Sequence, residues 1–333
     1  MTDPPRTSLG TSVRNTDGSK GIRGPRRKAL SERRARAFWT HSRKESMAAF
    51  LFILPDSIGL LIFVAVPMLL SLSLGFFSVD GFGGYKFVGL ANYNRMFHDV
   101  LFLKSLWVTI LYVLILVPGL YVSGLGLALL VRQKIPFIGV WRSLFFMPYV
   151  VSLVVIGLIW QVMLIDRIGF INEMLELVHL PSRSWLGDPS LALGAILFVT
   201  IWFLMGYYMI IFLSGLQEIP REYYEAARID GASAWAMFTK ITLPLLQPTS
   251  FFVLLVSTVS AVSGSQAFDL VYVMTKGGPA NSTALAVFYI YQQAFQFNNY
   301  GYAAAMASSL VIVLMAITIA LFIATRGGRF HLT

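Results

Sequence analysis

The sequence contains no cysteine, which excludes disulfides, thiolate metal sites and thiol catalysis. Charge is scarce as well. Asp, Glu, Lys and Arg make up 13% of the 333 residues, about half of what a soluble domain carries. No G-x-x-x-x-G-K-S/T run occurs, so there is no P-loop with which to bind ATP. Neither H-E-x-x-H nor G-x-S-x-G is present, and the four histidines, His41, His98, His179 and His331, are scattered outside the apolar runs. A membrane protease or lipase needs a nucleophile, base or metal site clustered within reach, and none is visible. No catalytic residue, metal ligand or bound cofactor is assigned, and the chain is not read as an enzyme.

What is abundant is apolar surface, at 56% of residues. Six runs, over about 47–77, 103–131, 143–165, 190–216, 249–274 and 302–325, each reach the ~20 residues needed to cross a ~30 Å hydrocarbon core. The fold expected is an all-α integral membrane protein with six transmembrane helices and a permease domain over residues 47–325. The first run begins near Met47 and is too long for a signal-peptide core. Pro55 and Pro67 are expected to bend it, which membrane helices tolerate.

Residues 1–46 form a basic tail rich in Pro, Gly, Ser and Arg. Such a segment cannot bury enough surface to offset its ordering entropy, so it is read as largely disordered. It is expected to turn helical from about Leu30 to Arg43, with basic residues near anionic lipid headgroups. Residues 326–333 are a second short tail. The net charge of +10 does not point to nucleic acid, because the basic residues lie mostly on one side of the spans. Seven fall between Arg27 and Lys44, and Arg132, Lys134, Arg142, Arg221, Arg228, Lys240, Arg326 and Arg329 join them, against six on the other side. That bias places both termini and residues 217–247 in the cytoplasm.

The longest half-polar run outside the tail lies between the fourth and fifth spans, from Glu222 to Pro244. Its residues predict two short helices joined at Gly231. Pro220 suits a helix start, and Glu222 and Glu225 favour its positively polarised end. Ala226 and Ala227 leave room for close approach by another surface. Gly231 allows one helix to stop and another to start. Ser233 is placed to cap the second helix, and Pro244 and Pro248 break the chain before the next span.

Glu225-Ala226-Ala227, then Gly231, then Ile241-x-Leu243-Pro244 spell E-A-A-x3-G-x9-I-x-L-P. The pattern resembles the cytoplasmic EAA loop of ABC importer permeases, with no departure at its named positions. The wider wording, with Asp230-Gly231-Ala232 and Pro248, is similar to the carbohydrate-uptake, binding-protein-dependent branch. The resemblance covers most of residues 47–325, but its specificity is concentrated in this loop. It implies that Glu225, Ala226, Ala227, Asp230, Gly231, Leu243 and Pro244 couple the chain to an ATPase. It also implies a bacterial or archaeal cell membrane, a second related permease in a heterodimer, two ATPase subunits that use ATP and Mg, and an extracytoplasmic solute-binding protein. The cargo would be a sugar or related polar solute. Apart from the resemblance, the loop also reads as an amphipathic connector on the membrane surface. Two rivals remain: an ion-coupled secondary transporter, which would want several intramembrane ionisable residues or an inverted repeat, and a membrane scaffold that uses the loop only for docking.

Few acidic residues enter the spans. Asp56 follows Pro55 near one end of the first, where it either caps a helix or faces water. Asp269 lies in the outer half of the fifth, three residues after Gln266 and hence on the same helix face. A carboxylate there costs roughly 2.5–3.5 kcal/mol near the bilayer centre, so it should face a partner or a cavity. Gln266, Asp269 and Tyr272 are the candidate solute contacts. The alternative is that Asp269 pairs with Lys276 or another subunit. Outside, residues 78–102 carry Asn92-Tyr93 and resemble the loop after the first helix of sugar permeases. Residues 166–189 predict a small amphipathic helix, and 275–301 open on Thr275-Lys-Gly-Gly-Pro279.

Overall fold

Apolar runs, proline and glycine set the order of elements in the computed structural model, which describes residues 46–79, 83–133 and 136–324. The expectations for the basic tail, Lys134, Arg326, Arg329 and the C-terminal tail fall outside those residues. Helix α1 (Ser46–Leu74) leads into a hairpin of β1 (Phe77–Val79) and β2 (Tyr85–Phe87), then α2 (Ala91–His98) and α3 (Val100–Val131). There follow α4 (Ile138–Val150), α5 (Leu153–Met163), α6 (Phe170–Leu177) and α7 (Ala192–Glu218). The remainder comprises α8 (Arg221–Ile229), α9 (Ala234–Leu245), α10 (Gln247–Ser263), α11 (Ser265–Leu270), α12 (Ala286–Tyr291) and α13 (Tyr300–Ala324). By contacts the chain divides into Met1–Pro67 and Met68–Thr333.

Neither proline stops α1. A wider turn over Leu61–Ala65, in which the Val66 N–H reaches the Leu61 carbonyl, precedes Pro67 and makes room for its ring. Asp56 does not cap this helix; it is an exposed interior residue.

Helices α3 and α7 supply most of the second unit's core. Tyr112 and Thr200 are both buried, and the Tyr112 hydroxyl donates to Thr200 Oγ1 at 3.2 Å. Without water to satisfy polar groups, such bonds between helices hold them in register. Small residues set the approach: a side chain at Gly206 of α7 would run into the Phe145 carbonyl of α4.

Among the described residues, α1, α3, α7 and α13 are long and apolar enough to cross a membrane. The third and fifth expected spans depart from single helices. Residues 143–165 hold the later part of α4 and all of α5, bent by 95° where Val151 and Ser152 turn extended just after Pro148. Residues 249–274 are interrupted at Gly264, whose left-handed backbone, φ 71°, ends α10. A Cβ there would meet Val287, so glycine provides both the turn and the space. A second bend, of 66°, joins α9 to α10, beside Pro244 and Pro248. If each bent pair is one span, the crossings number up to six.

At the start of α3 stands a residue that sequence reading passed over. Asp99 caps the helix, accepting from the Leu101 and Phe102 amides at 3.0 and 3.2 Å. It also accepts from the hydroxyls of Tyr289 and Tyr302 at 2.8 and 2.7 Å. Burial pushes its carboxyl pKa up, but the bonds from Tyr302, Tyr289 and the two amides outweigh that and hold it below the usual value. One carboxylate thus ties α3, α12 and α13 together. Asn92 is likewise a tie, donating to the Gly75 and Phe77 carbonyls at 2.9 Å each. The amphipathic helix expected within 166–189 is α6, anchored by buried Asn172, which accepts from the Trp185 indole at 3.0 Å.

Candidate functional site

The segment between α7 and α10 is built as its residues suggest. Pro220, at ψ 138°, turns the chain out of α7 and precedes the first residue of α8. Glu222 lies in the first turn of α8 and Arg228 in the last, each of the sign the helix dipole favours. Asp230 ends the helix and Gly231 takes φ 75°. The Gly231 amide then bonds the Arg228 carbonyl at 3.1 Å and the Ala232 amide reaches back to Ala227 at 2.9 Å. Those two bonds are the Schellman pattern, which needs the left-handed residue between them. Ser233 caps α9, its hydroxyl accepting from the Ala236 amide at 3.2 Å.

A clamp fastens this pair of helices to the membrane core. Tyr224 of α8 shares a hydrogen bond with buried Thr242 of α9 at 3.0 Å. Arg132, just past α3, donates to the same Tyr224 hydroxyl at 3.1 Å and lies over its ring at 4.8 Å. The end of α3 and both helices of the segment therefore share one tyrosine.

The seven residues that sequence reading assigned to coupling separate into two groups. Glu225, Ala226, Asp230, Gly231 and Pro244 are exposed, whereas Ala227 and Leu243 are half-buried. Leu243, like Tyr224 and Phe238, packs against the core. The sequence reading missed three apolar side chains that stand out from it: Ile229 is 86% exposed, Trp235 72% and Tyr223 54%. Large apolar groups held outward on a rigid helix mark a surface that meets a partner. The signal was present in the spacing, since Tyr223, Ala226 and Ile229 recur at intervals of three on one helix face.

The structure gives Gln266, Asp269 and Tyr272 different surroundings. Gln266 lines a small void of about 10 Å³ between α3, α7 and α10, with Tyr112, Thr200, Tyr208 and Ser257. Such a void holds about one water. Asp269 is half-buried on α11. Tyr272 belongs to an aromatic cluster: its ring stacks on Phe268 at 5.7 Å and meets Tyr291 edge-on at 5.8 Å. Tyr272 itself lies in a wider turn over Val271–Thr275 that follows directly on α11. No group of three or more His, Cys, Asp or Glu able to hold a metal occurs among the described residues.

Comparison with known proteins agrees with this architecture. The pattern of the family described as binding-protein-dependent transport system inner membrane component matches residues 121–326, which take in the whole segment. A probable ABC transporter permease protein of Pyrococcus horikoshii is 36% identical over 276 residues, covering 81% of this chain and 92% of that protein. The sulfoquinovosyl glycerol transport system permease protein SmoG of Agrobacterium fabrum is 35% identical over 278 residues, covering 82% and 89%. A chain of the crystal structure of a bacterial alginate ABC transporter, in complex with an alginate pentasaccharide-bound periplasmic protein, shares the fold. Its TM-score is 0.75 at 22% identity, covering 86% of this chain and 96% of that one.

Proposed function

Because the chain belongs to the family of binding-protein-dependent transport system inner membrane components, we propose that residues 217–247 turn the work of a partner ATPase into movement of the spans. The chain is a multi-pass permease subunit of an ABC importer served by a solute-binding protein, and it is not itself an enzyme. One observation carries the coupling role: α8 presents Tyr223, Ala226 and Ile229 outward on an exposed face, while its Tyr224 is clamped to α3. A push on that face reaches α3 without a flexible joint.

In this reading two ATPase subunits, with ATP and Mg, sit against α8 and against its counterpart on a second, related permease. Six spans, with α4 and α5 making the third and α10 without α9 carrying the fifth, keep both termini and the segment in the cytoplasm. The lysine and arginine bias supports that side. A cysteine at exposed Lys240 should resist a membrane-impermeant thiol reagent in intact cells and react after permeabilisation, whereas one at exposed Glu176 of α6 should react in both. Labelling of Lys240→Cys from outside would reverse the orientation and leave the segment where no ATPase could reach it. For the docking itself, a cysteine at Ile229 should cross-link to the ATPase in membranes; cross-linking only from α6 would contradict it.

The cargo is a sugar or related polar solute. SmoG, at 35% identity, carries a glycoside by name, and the aromatic cluster around Tyr272 offers faces on which a sugar ring can stack. The void beside Gln266 holds no solute as it stands, so Gln266 lies on a wall that must open during transport. Gln266→Ala should lower uptake severalfold while assembly with the ATPase is kept. Asp269→Asn should do the same if its carboxylate meets the solute. Unchanged transport kinetics in both variants would remove the two residues from the pathway, and failure of Asp269→Asn to assemble would make Asp269 a structural residue instead.

A further inference from the structure

Beneath α8 lies a groove of about 980 Å³ whose walls carry Arg132, Arg142, Arg221 and Arg228 against one carboxylate, Glu225. Four guanidinium groups around one cavity repel one another and attract anions. Among the described residues, none of the four forms an ion pair. Arg142 is the most telling. One of its terminal nitrogens donates to the Val131 carbonyl at 3.0 Å, but its Nε is buried with no hydrogen-bond partner. A buried donor of that kind calls for an acceptor, and a charged oxygen satisfies it best. Arg132 is already oriented by Tyr224, so the site is built before its ligand arrives.

The surroundings say what sort of anion fits. Leu129, Leu216 and Ile219 give the groove an apolar side, supplied by the ends of the spanning helices α3 and α7. Trp141, next in sequence to groove residue Arg142, is 47% exposed, as tryptophans are at the headgroup level of a bilayer. We propose that this groove binds the phosphodiester headgroup of an anionic phospholipid, with the arginines on the phosphate and the acyl region along the apolar side. Basic pockets between spanning helices bind lipid phosphates in this way. A headgroup site at these helix ends does not depend on which side of the membrane they face, so it stands or falls separately from the cytoplasmic orientation. With an acidic phosphate seated there, α8 would be held to the membrane plane through Arg221 and Arg228, and lipid composition would tune coupling.

Native mass spectrometry of the purified complex, stripped of lipid and titrated with phosphatidylglycerol, phosphatidylcholine or inorganic phosphate, reads this directly. Phosphatidylglycerol should be retained roughly tenfold more tightly than phosphatidylcholine and should not be displaced by inorganic phosphate. In Arg132→Gln/Arg142→Gln that preference should disappear. Because Arg132 also clamps Tyr224, a second variant, Arg221→Gln/Arg228→Gln, changes only exposed side chains and should lose at least roughly fivefold of the preference. Equal retention of the two lipids, or an undiminished preference in both variants, would overturn the site. Displacement by inorganic phosphate would make it a small-anion site instead. Lipid held by the chain alone but excluded once the ATPase is bound would assign the groove to an acidic surface of that partner.

Discussion

Gly231→Val is expected to leave the chain inserted in the membrane and to reduce solute uptake to about a tenth or less. The residue takes φ 75° and no atom lies within 4 Å of a Cβ built there, so the substitution meets no clash. Its cost is conformational. A residue with a Cβ loses about 1–2 kcal/mol in the left-handed region, and a branched one stands at the upper end. That is roughly a thirtyfold shift in the population of a correctly formed turn. The two bonds from Gly231 and Ala232 back to α8 depend on that turn, and so does the direction in which α8 meets α9. Uptake and transport-linked ATP hydrolysis of the reconstituted complex, normalised to permease content, give the measure. Gly231→Asn is the control: asparagine tolerates the left-handed region far better and should keep most of the activity. Equal loss in both would mean that something other than backbone conformation is at work. Full activity in Gly231→Val would reduce the segment to a connector.

Ile229→Asp is expected to have the second large effect, through docking. The side chain is 86% exposed, so the change leaves the fold of the isolated chain intact. In a complex the same position would be enclosed. Burying an isoleucine contributes about 1.5–3 kcal/mol, and a central apolar anchor replaced by an unpaired carboxylate costs more than that contribution alone. The ATPase should therefore dissociate at least roughly a hundredfold more readily from the variant, as read by co-purification across a dilution series. Ala226→Trp, on the same face, should separate the surfaces by bulk alone and give the same result. Glu225→Ala should weaken association more mildly, since water can replace part of a charge-assisted bond. Undisturbed association in both Ile229→Asp and Ala226→Trp would place the docking surface elsewhere.

The sequence and the structure agree most closely where local chemistry decides. Gly231 and Ser233 announce a turn and a cap because few other residues do those jobs, and they are where the pattern puts them. The four uninterrupted spans are legible for a similar reason, since length and hydropathy alone define them. The bends are not. Pro148 sits in an apolar run that reads as one helix, and whether a proline kinks a membrane helix depends on which neighbours satisfy the freed carbonyl. Gly264 is one small residue among many, and only the proximity of Val287 shows why it breaks the chain.

The surroundings of the candidate solute contacts were less legible than those of the loop. The i, i+3 spacing places Gln266 and Asp269 together on α11, whereas Tyr272 lies within the wide turn over Val271–Thr275 with its ring against Phe268 and Tyr291. The Asp99 tie could not be seen, because its partners Tyr289 and Tyr302 lie about two hundred residues away along the chain. Ile229 stands out only in the structure, where it is 86% exposed.

Uptake into vesicles that contain this chain with its second permease, its ATPase and its solute-binding protein tests the account at its centre. The predicted result is solute accumulation when ATP is present on the side that carries α8 and binding protein on the other. A non-hydrolysable analogue should give no accumulation, and proton or sodium gradients should have no effect. Accumulation driven by an ion gradient without ATP would contradict it and make the chain a secondary transporter.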